Sequence, residues 1–287
     1  GLDDVLVVGA VQGRGSHAQS PANAGSALAA DMAEVRGYDK KQENDYQYLQ
    51  FGTYPYEADG TEAPLVWRIL AREEDVLTLF TEDIIDTHQV WEIADYKDAV
   101  KKHNFNKSTV FEDTDLFAWV NGEMTETILK HEDFSSAIVE HGGGLFYIMT
   151  YKELKKKEYG FPNSRYGNTR ENPWEVPQAL AVNRKGYGTP YAKEKIIYPD
   201  WKEQGSRNIK LILYKQYGDS SPYWCIGDPR PIYGGIVGAN GHLSVHGKGD
   251  VGIGVRPAMM LDLTKLELIG GSGTLEDPWL MKTVDSQ

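Results

Sequence analysis

Residues 252–261 read GIGVRPAMML, and Arg256 and Pro257 interrupt an otherwise apolar, strand-like run from Val251 to Leu263. Proline has no N–H to give a sheet ladder and is confined to edges, bulges and strand starts. An arginine is rarely buried without a partner. Such an arginine either serves chemistry in a cleft or ties the fold together. Its planar fork can be satisfied several times over by a buried carboxylate or by backbone carbonyls. The expectation is therefore structural: this run closes the domain, Arg256 reaches buried acceptors, and Pro257 marks a bulge or a lapse in pairing.

Working back from this run, further strands are predicted at Ile209–Tyr214, Tyr223–Ile226, Ile232–Val237 and His242–His246, with Asn240-Gly241 as a hairpin turn. After it, GGSGTLEDPWLM predicts a turn and one short strand. Near the other end, YLQFGTYP alternates and ends in turn residues, which suggests a strand. PLVWRILAREEDVLTLF reads as a hairpin, Val66–Ala71 and Val76–Phe80 around a charged turn at Glu73–Asp75. DLFAWVNGE predicts a helix capped by Asp115, with Leu116, Trp119 and Val120 on one face and a stop near Gly122. Thr150 and Glu153 have capping-box spacing. Trp67 and Trp119 are expected in the core. The pattern predicts a mixed α+β domain, with early helices and mainly antiparallel strands. Residues 46–265 form this domain, 1–45 an N-terminal extension, and 266–287 a C-terminal turn and strand segment.

Between Lys155 and Gln204 the periodicity fails, and Gly, Pro, Asn, Tyr and Trp cluster. Such a long irregular stretch inside a domain marks either a functional loop region or elements that periodicity fails to assign. The chain has 287 residues, with 30 basic and 42 acidic side chains and a net charge of -12. That surface repels phosphate backbones and anionic membranes, so neither nucleic acid nor membrane insertion is expected. Seven Trp and 17 Tyr accompany only eight Phe, a balance that suits recognition surfaces and equally a large β-rich core with Tyr on its solvent faces.

Taken in order, Phe51–Pro55, Pro64–Leu70, Leu116–Glu123, Thr150–Glu153, Tyr223–Gly227 and Gly254–Met259 resemble an uncharacterised family of bacterial domains found in exported proteins. Its motifs read F-G-x-Y-P, P-x-x-W-x-[VI]-L, L-x-x-W-L-N-G-E, S-Y-x-E, W-W-L-R-S and G-V-R-P-A-L. The resemblance covers residues 46–263 and implies a C-type-lectin-like fold, in the variant shared with formylglycine-generating enzymes. Ile226 stands where the family's strand has arginine, so no role of that arginine carries over. The tail resembles the G-x-G-T-x-x-x-P-[YW] ending of bacterial surface modules. A secreted, periplasmic or cell-surface location follows from both resemblances, with any leader removed ahead of Gly1.

No catalytic template is met. Formylglycine-generating enzymes hold copper with paired cysteines, and Cys225 is alone. His242 and His246 would sit ~13 Å apart along a strand, too far to share one metal easily, and with Asp250 they match no zinc template. ENPW at 171–174 is a scrambled form of the calcium-lectin loop. The carboxylates at 73–75, 82–86 and 112–115 read as a solvated surface. No cofactor is implied.

The aromatic loop region remains: Tyr159, Tyr166, Trp174, Tyr187, Tyr191 and Trp201. Tyr223 lies in the following strand, and Asp228, Arg230 and Tyr233 lie in GDPRPIYGG. Aromatics on loops of a rigid scaffold suit sugar faces and protein partners. The expected function is a non-catalytic module that binds a glycan or protein through Tyr166, Trp174, Tyr187, Trp201, Tyr223, Asp228, Arg230 and Tyr233. A glycan hydrolase with an unrecognised carboxylate pair and a structural assembly module stay open, as does the oligomeric state.

Overall fold

The computed structural model describes residues 31–40, 45–90, 92, 110–164, 181–195, 223–226, 233–238, 241, 243–248 and 253–284. Among them run β1 (Gln47–Pro55), β2 (Glu62–Glu73), β3 (Val76–Thr81), β4 (Asp86–His88), β5 (Ile138–Val139), β6 (Tyr147–Ile148), β7 (Tyr223–Ile226), β8 (Tyr233–Gly238), β9 (Leu243–Lys248), β10 (Ile253–Val255), β11 (Pro257–Asp262), β12 (Leu266–Gly270) and β13 (Trp279–Thr283). The helical elements are short, so the architecture is mixed α+β with mostly sheet. The strand expected at Ile209–Tyr214 lies outside the described residues.

GIGVRPAMML is two strands in two sheets, a correction to the single strand expected there. β10 belongs to a five-stranded sheet, β4-β10-β7-β8-β9, where Val255 pairs with Asp86. β11 belongs to an eight-stranded sheet, β12-β13-β1-β2-β3-β11-β5 with β6 also on β11, where Pro257 pairs with Ile148. Arg256 is the link between the two sheets. Pro257, with no donor, takes the opening position of a strand, as its chemistry requires.

Both faces of the large sheet are buried near its centre. Trp67 and Ile69 of β2, Leu77 and Leu79 of β3, and Met259 and Leu261 of β11 face one cluster with Leu116, Val120, Met124 and Ile128. The alternate residues Leu70, Phe80 and Ala258 face a second cluster with Tyr147, Met149 and Phe161, and Val237 and Leu243 join it from the five-stranded sheet. Each fully buried large apolar side chain contributes about 1.5–3 kcal/mol. The segment 266–284 adds β12 and β13 to the same sheet, with β13 parallel to β1.

The motif residues fill particular structural roles. Gly52 (φ 70°) sits where β1 slips register against β2, and a Cβ there would lie 2.7 Å from Ile128 Cγ2 and 2.8 Å from Ile128 O. Phe51 O accepts from Trp67 Nε1 at 2.8 Å. Thr114, not Asp115, caps the helix Asp115–Trp119, its side chain accepting from the Phe117 N–H. Asp115 instead accepts from Glu92 N–H. The helix does not stop near Gly122: it widens into a π-helical stretch, Val120–Met124, and continues as Thr125–Ile128. Packing of Met124 and Ile128 overrides the glycine's weak propensity. Thr150 and Glu153 do exchange reciprocal hydrogen bonds, but they close only a 3₁₀ turn, Glu153–Lys155.

Candidate functional site

Three arginines converge on the second face of the large sheet. Arg68 extends from β2 and meets the Glu82 carboxylate through Nε and Nη2, both at 2.7 Å, and its Nη1 donates to Asn183 O at 2.8 Å. Burial opposes its charge, but the facing Glu82 more than offsets this and raises its pKa. Arg256 is fully buried, with its guanidinium 3.7 Å from the Phe80 ring centroid. It donates to Thr81 O (2.6 Å), Glu82 O (2.7 Å), Lys185 O (3.1 Å) and Arg184 O (3.4 Å). Burial, reinforced by the Arg68 charge, pushes its pKa down to about 9, so it is still a cation at neutral pH. Arg184 donates to Leu154 O (2.7 Å), Pro162 O (2.6 Å), Ser164 O (2.8 Å) and Gly241 O (3.2 Å), and burial lowers it to about 10.

Together they fix the segment 181–195. Asn183, Arg184 and Lys185 are held through carbonyls, and Asn183 Nδ2 donates to Gly160 O at 2.9 Å. Backbone bonds complete the attachment: Ile84 N–H to Tyr187 O (2.9 Å), Thr189 N–H to Ile84 O (3.0 Å) and Tyr191 N–H to Tyr56 O (2.9 Å). Thr189 then caps the helix Pro190–Glu194, with proline at its first position.

At the end of this helix a polar and aromatic corner forms. The buried Asp86 carboxylate accepts from Tyr54 OH at 2.6 Å, from Thr87 N–H at 2.7 Å and from Lys195 Nζ at 3.4 Å. Burial raises the Tyr54 pKa far above its ordinary value, and the charge and hydrogen bond of Asp86 add to that. Lys195 lies 4.3 Å from the Tyr191 ring centroid. Burial works against its charge, but Tyr191 and Asp86 outweigh it and raise its pKa. On the same strand, His88 stacks on the half-buried Trp119 with ring centroids 4.4 Å apart. The corner holds the Lys195 ammonium between a buried carboxylate and an aromatic face. Its carboxylate is already engaged by three donors.

Of the residues predicted to bind ligand, Tyr166, Trp174, Trp201, Asp228 and Arg230 lie outside the described residues. The backbones of Tyr223 and Tyr233 lie in β7 and β8, and Cys225 pairs with Ile236 between them. Tyr187 is on the fixed segment with its side chain exposed. Tyr159, from the same aromatic group, is buried, and its backbone oxygen accepts from Tyr46 OH at 2.7 Å. Trp67 is fully buried in the first core cluster. Sequence reasoning missed Arg68, Arg184, Asp86 and Tyr54. Arg68 carries the same signal as Arg256, an arginine inside the apolar alternation LVWRILA. Among the described residues no group of three His, Cys, Asp or Glu could hold a metal ion, and no helix is long and apolar enough to cross a membrane. The chain matches no family model, no curated protein and no solved structure.

Proposed function

We propose that this chain is a non-catalytic ligand-binding module of an exported bacterial protein, C-type-lectin-like in fold, that takes a glycan or a protein through aromatic-rich loops. One observation carries the reading. The segment 181–195 is tied to the large sheet by the buried guanidinium groups of Arg68 and Arg256 and to the turn at Leu154 by that of Arg184. It separates two aromatic-bearing stretches of sequence, 165–180 with Tyr166 and Trp174, and 196–222 with Tyr198, Trp201, Tyr214 and Tyr217. A scaffold whose attachment points are fixed loses little conformational entropy when its loops engage a partner. Tyr187, with its ring exposed, lies on the fixed segment, and Lys195 at its end lies over the Tyr191 ring. The fold reading is supported by the ordered motifs, and export by the same resemblance.

The test is a glycan and peptidoglycan array followed by an assay for product release from any hit. Binding without turnover is expected, and Trp174→Ala and Trp201→Ala should each weaken it at least roughly tenfold in a protein that melts normally. Turnover abolished by a single Asp or Glu substitution would replace this reading with the hydrolase. Unfolding of both Trp variants would make those rings core.

A further inference from the structure

The turn Thr150–Gly160 reads TYKELKKKEYG, so Lys152, Lys155, Lys156 and Lys157 stand within six residues of a chain whose net charge is -12. Lys152 and Lys157 are exposed, and Lys155 and Lys156 are half-buried. Two of the ammonium groups are held in place: Lys155 Nζ lies 4.4 Å from the Tyr151 ring centroid, and Lys156 Nζ lies 4.6 Å from that of Tyr159 and donates to its hydroxyl at 3.1 Å. Among the described residues none of the four forms a salt bridge. Glu153, the acid inside the turn, is occupied by the Thr150 N–H and hydroxyl at 2.8 and 2.7 Å. Glu158 is the other acid of the turn. Beneath it, Arg184 binds Leu154 O and adds a buried positive charge. The backbone is rigid here, with Leu154 and Tyr159 both in the second core cluster.

We propose that this lysine turn is a docking site for a slender anionic polymer, a chain of sugar or polyol units carrying carboxylate or phosphate groups. Charge complementarity selects the class and the surrounding surface selects the shape. Exposed charges interact over roughly 8 Å at physiological salt. A slender chain can satisfy the lysines within that range and leave the acidic remainder of the protein untouched. A duplex nucleic acid, an anionic bilayer or another acidic protein brings an extended negative surface against that remainder and is repelled. Lysines steadied by tyrosine rings lose less side-chain freedom when they bind. The site rests on the turn's own lysines and not on the proposed ligand-binding function.

Calorimetric titration of the full chain at about 50 mM and about 300 mM NaCl tests this, with a polyuronate, a poly(glycerol phosphate) and neutral dextran as probes. At least one anionic polymer binds and dextran does not. Affinity falls at least roughly tenfold between the two salt concentrations. The triple substitution Lys152→Gln, Lys155→Gln, Lys157→Gln weakens binding by at least roughly tenfold, and the corresponding triple change to arginine retains it. Binding of the polyuronate alone identifies a carboxylate chain, and binding of the phosphate polymer alone a phosphate chain. If the triple glutamine protein melts early, the exposed single changes Lys152→Gln and Lys157→Gln carry the test, each with a loss of about two- to threefold. The proposal is overturned if neither anionic polymer binds, if dextran binds equally, or if duplex DNA or anionic vesicles bind better. Parent-like affinity in the folded lysine variants overturns it as well.

Discussion

In the large sheet, Trp67 is paired through its backbone with β1 on one side and β3 on the other, and its ring packs among Phe51, Phe146 and the core. In the segment 181–195, a single bridge joins Gly188 to Ile84, and much of the remaining attachment comes from arginine side chains that arrive from β2 and from the link between β10 and β11. The first region is fixed by a ladder and by apolar volume, both of which the chain supplies locally. The second is fixed by donors from distant positions that satisfy carbonyls no ladder reaches. Cost should therefore track volume in one region and unsatisfied acceptors in the other.

The sharpest way to break this comparison is Arg256→Met. The substitution keeps much of the volume and leaves four carbonyl oxygens without their donor. A loss of about 3–5 kcal/mol in urea unfolding is expected. Trp67→Phe, which removes volume and one hydrogen bond from the ladder region, should cost less, about 1–3 kcal/mol. Arg256→Lys keeps a charge but loses the fork, and should lower stability before it affects any binding. An Arg256→Met protein as stable as its parent would show that the carbonyls find water and that the arginine is dispensable. A stable Arg256→Lys protein without ligand binding would give the residue back to function.

Asn121 offers an intermediate case, a neutral side chain used in the same manner. Its amide donates to Phe146 O at 2.9 Å and accepts from Phe146 N–H at 3.1 Å, acting as a short piece of strand from within the π-helical stretch. Asn121→Ala should cost about 1–3 kcal/mol in the same measurement. A cost as large as that of Arg256→Met would mean that acceptor satisfaction alone, without charge, sets the scale.

What could be read beforehand follows the same division. The β2–β3 hairpin was legible because alternation and a charged turn are local signals, and the reciprocal bonds of Thr150 and Glu153 because capping is local too. The break at Arg256 was only half legible: Pro257 announced a lapse in pairing, but periodicity alone cannot assign Val255 and Pro257 to different sheets. The π-helical continuation past Gly122 was hidden, because the packing that sustains it comes from other parts of the chain. Arg184 was invisible for the same reason. It stands in the stretch where periodicity fails, and its acceptor Gly241 lies 57 residues away. The candidate site is built from such long-range pairs, Tyr54 with Asp86 and Lys195 with Asp86. Sequence reading therefore missed the groups from which the corner at Asp86 is built.

The smallest effect tests the ladder region at its tip. Glu74 and Asp75 form the two-residue turn between β2 and β3, where Glu73 pairs with Val76. Glu74 has φ 55°, the left-handed region that an L side chain enters at a cost, and it is exposed. Its carbonyl accepts from Arg72 Nε at 2.9 Å, a bond that any residue can provide. Glu74→Gly removes the strain and one of three adjacent negative charges, set against the greater freedom of glycine in the unfolded chain. The net is a gain of about 0.5–1 kcal/mol. Glu74→Ala removes the charge and keeps the Cβ, so it separates the two contributions: if strain dominates, only the glycine variant gains. Equal gains in both variants would assign the effect to charge repulsion. A loss in the glycine variant would mean that this turn, like the segment 181–195, is held by side chains after all.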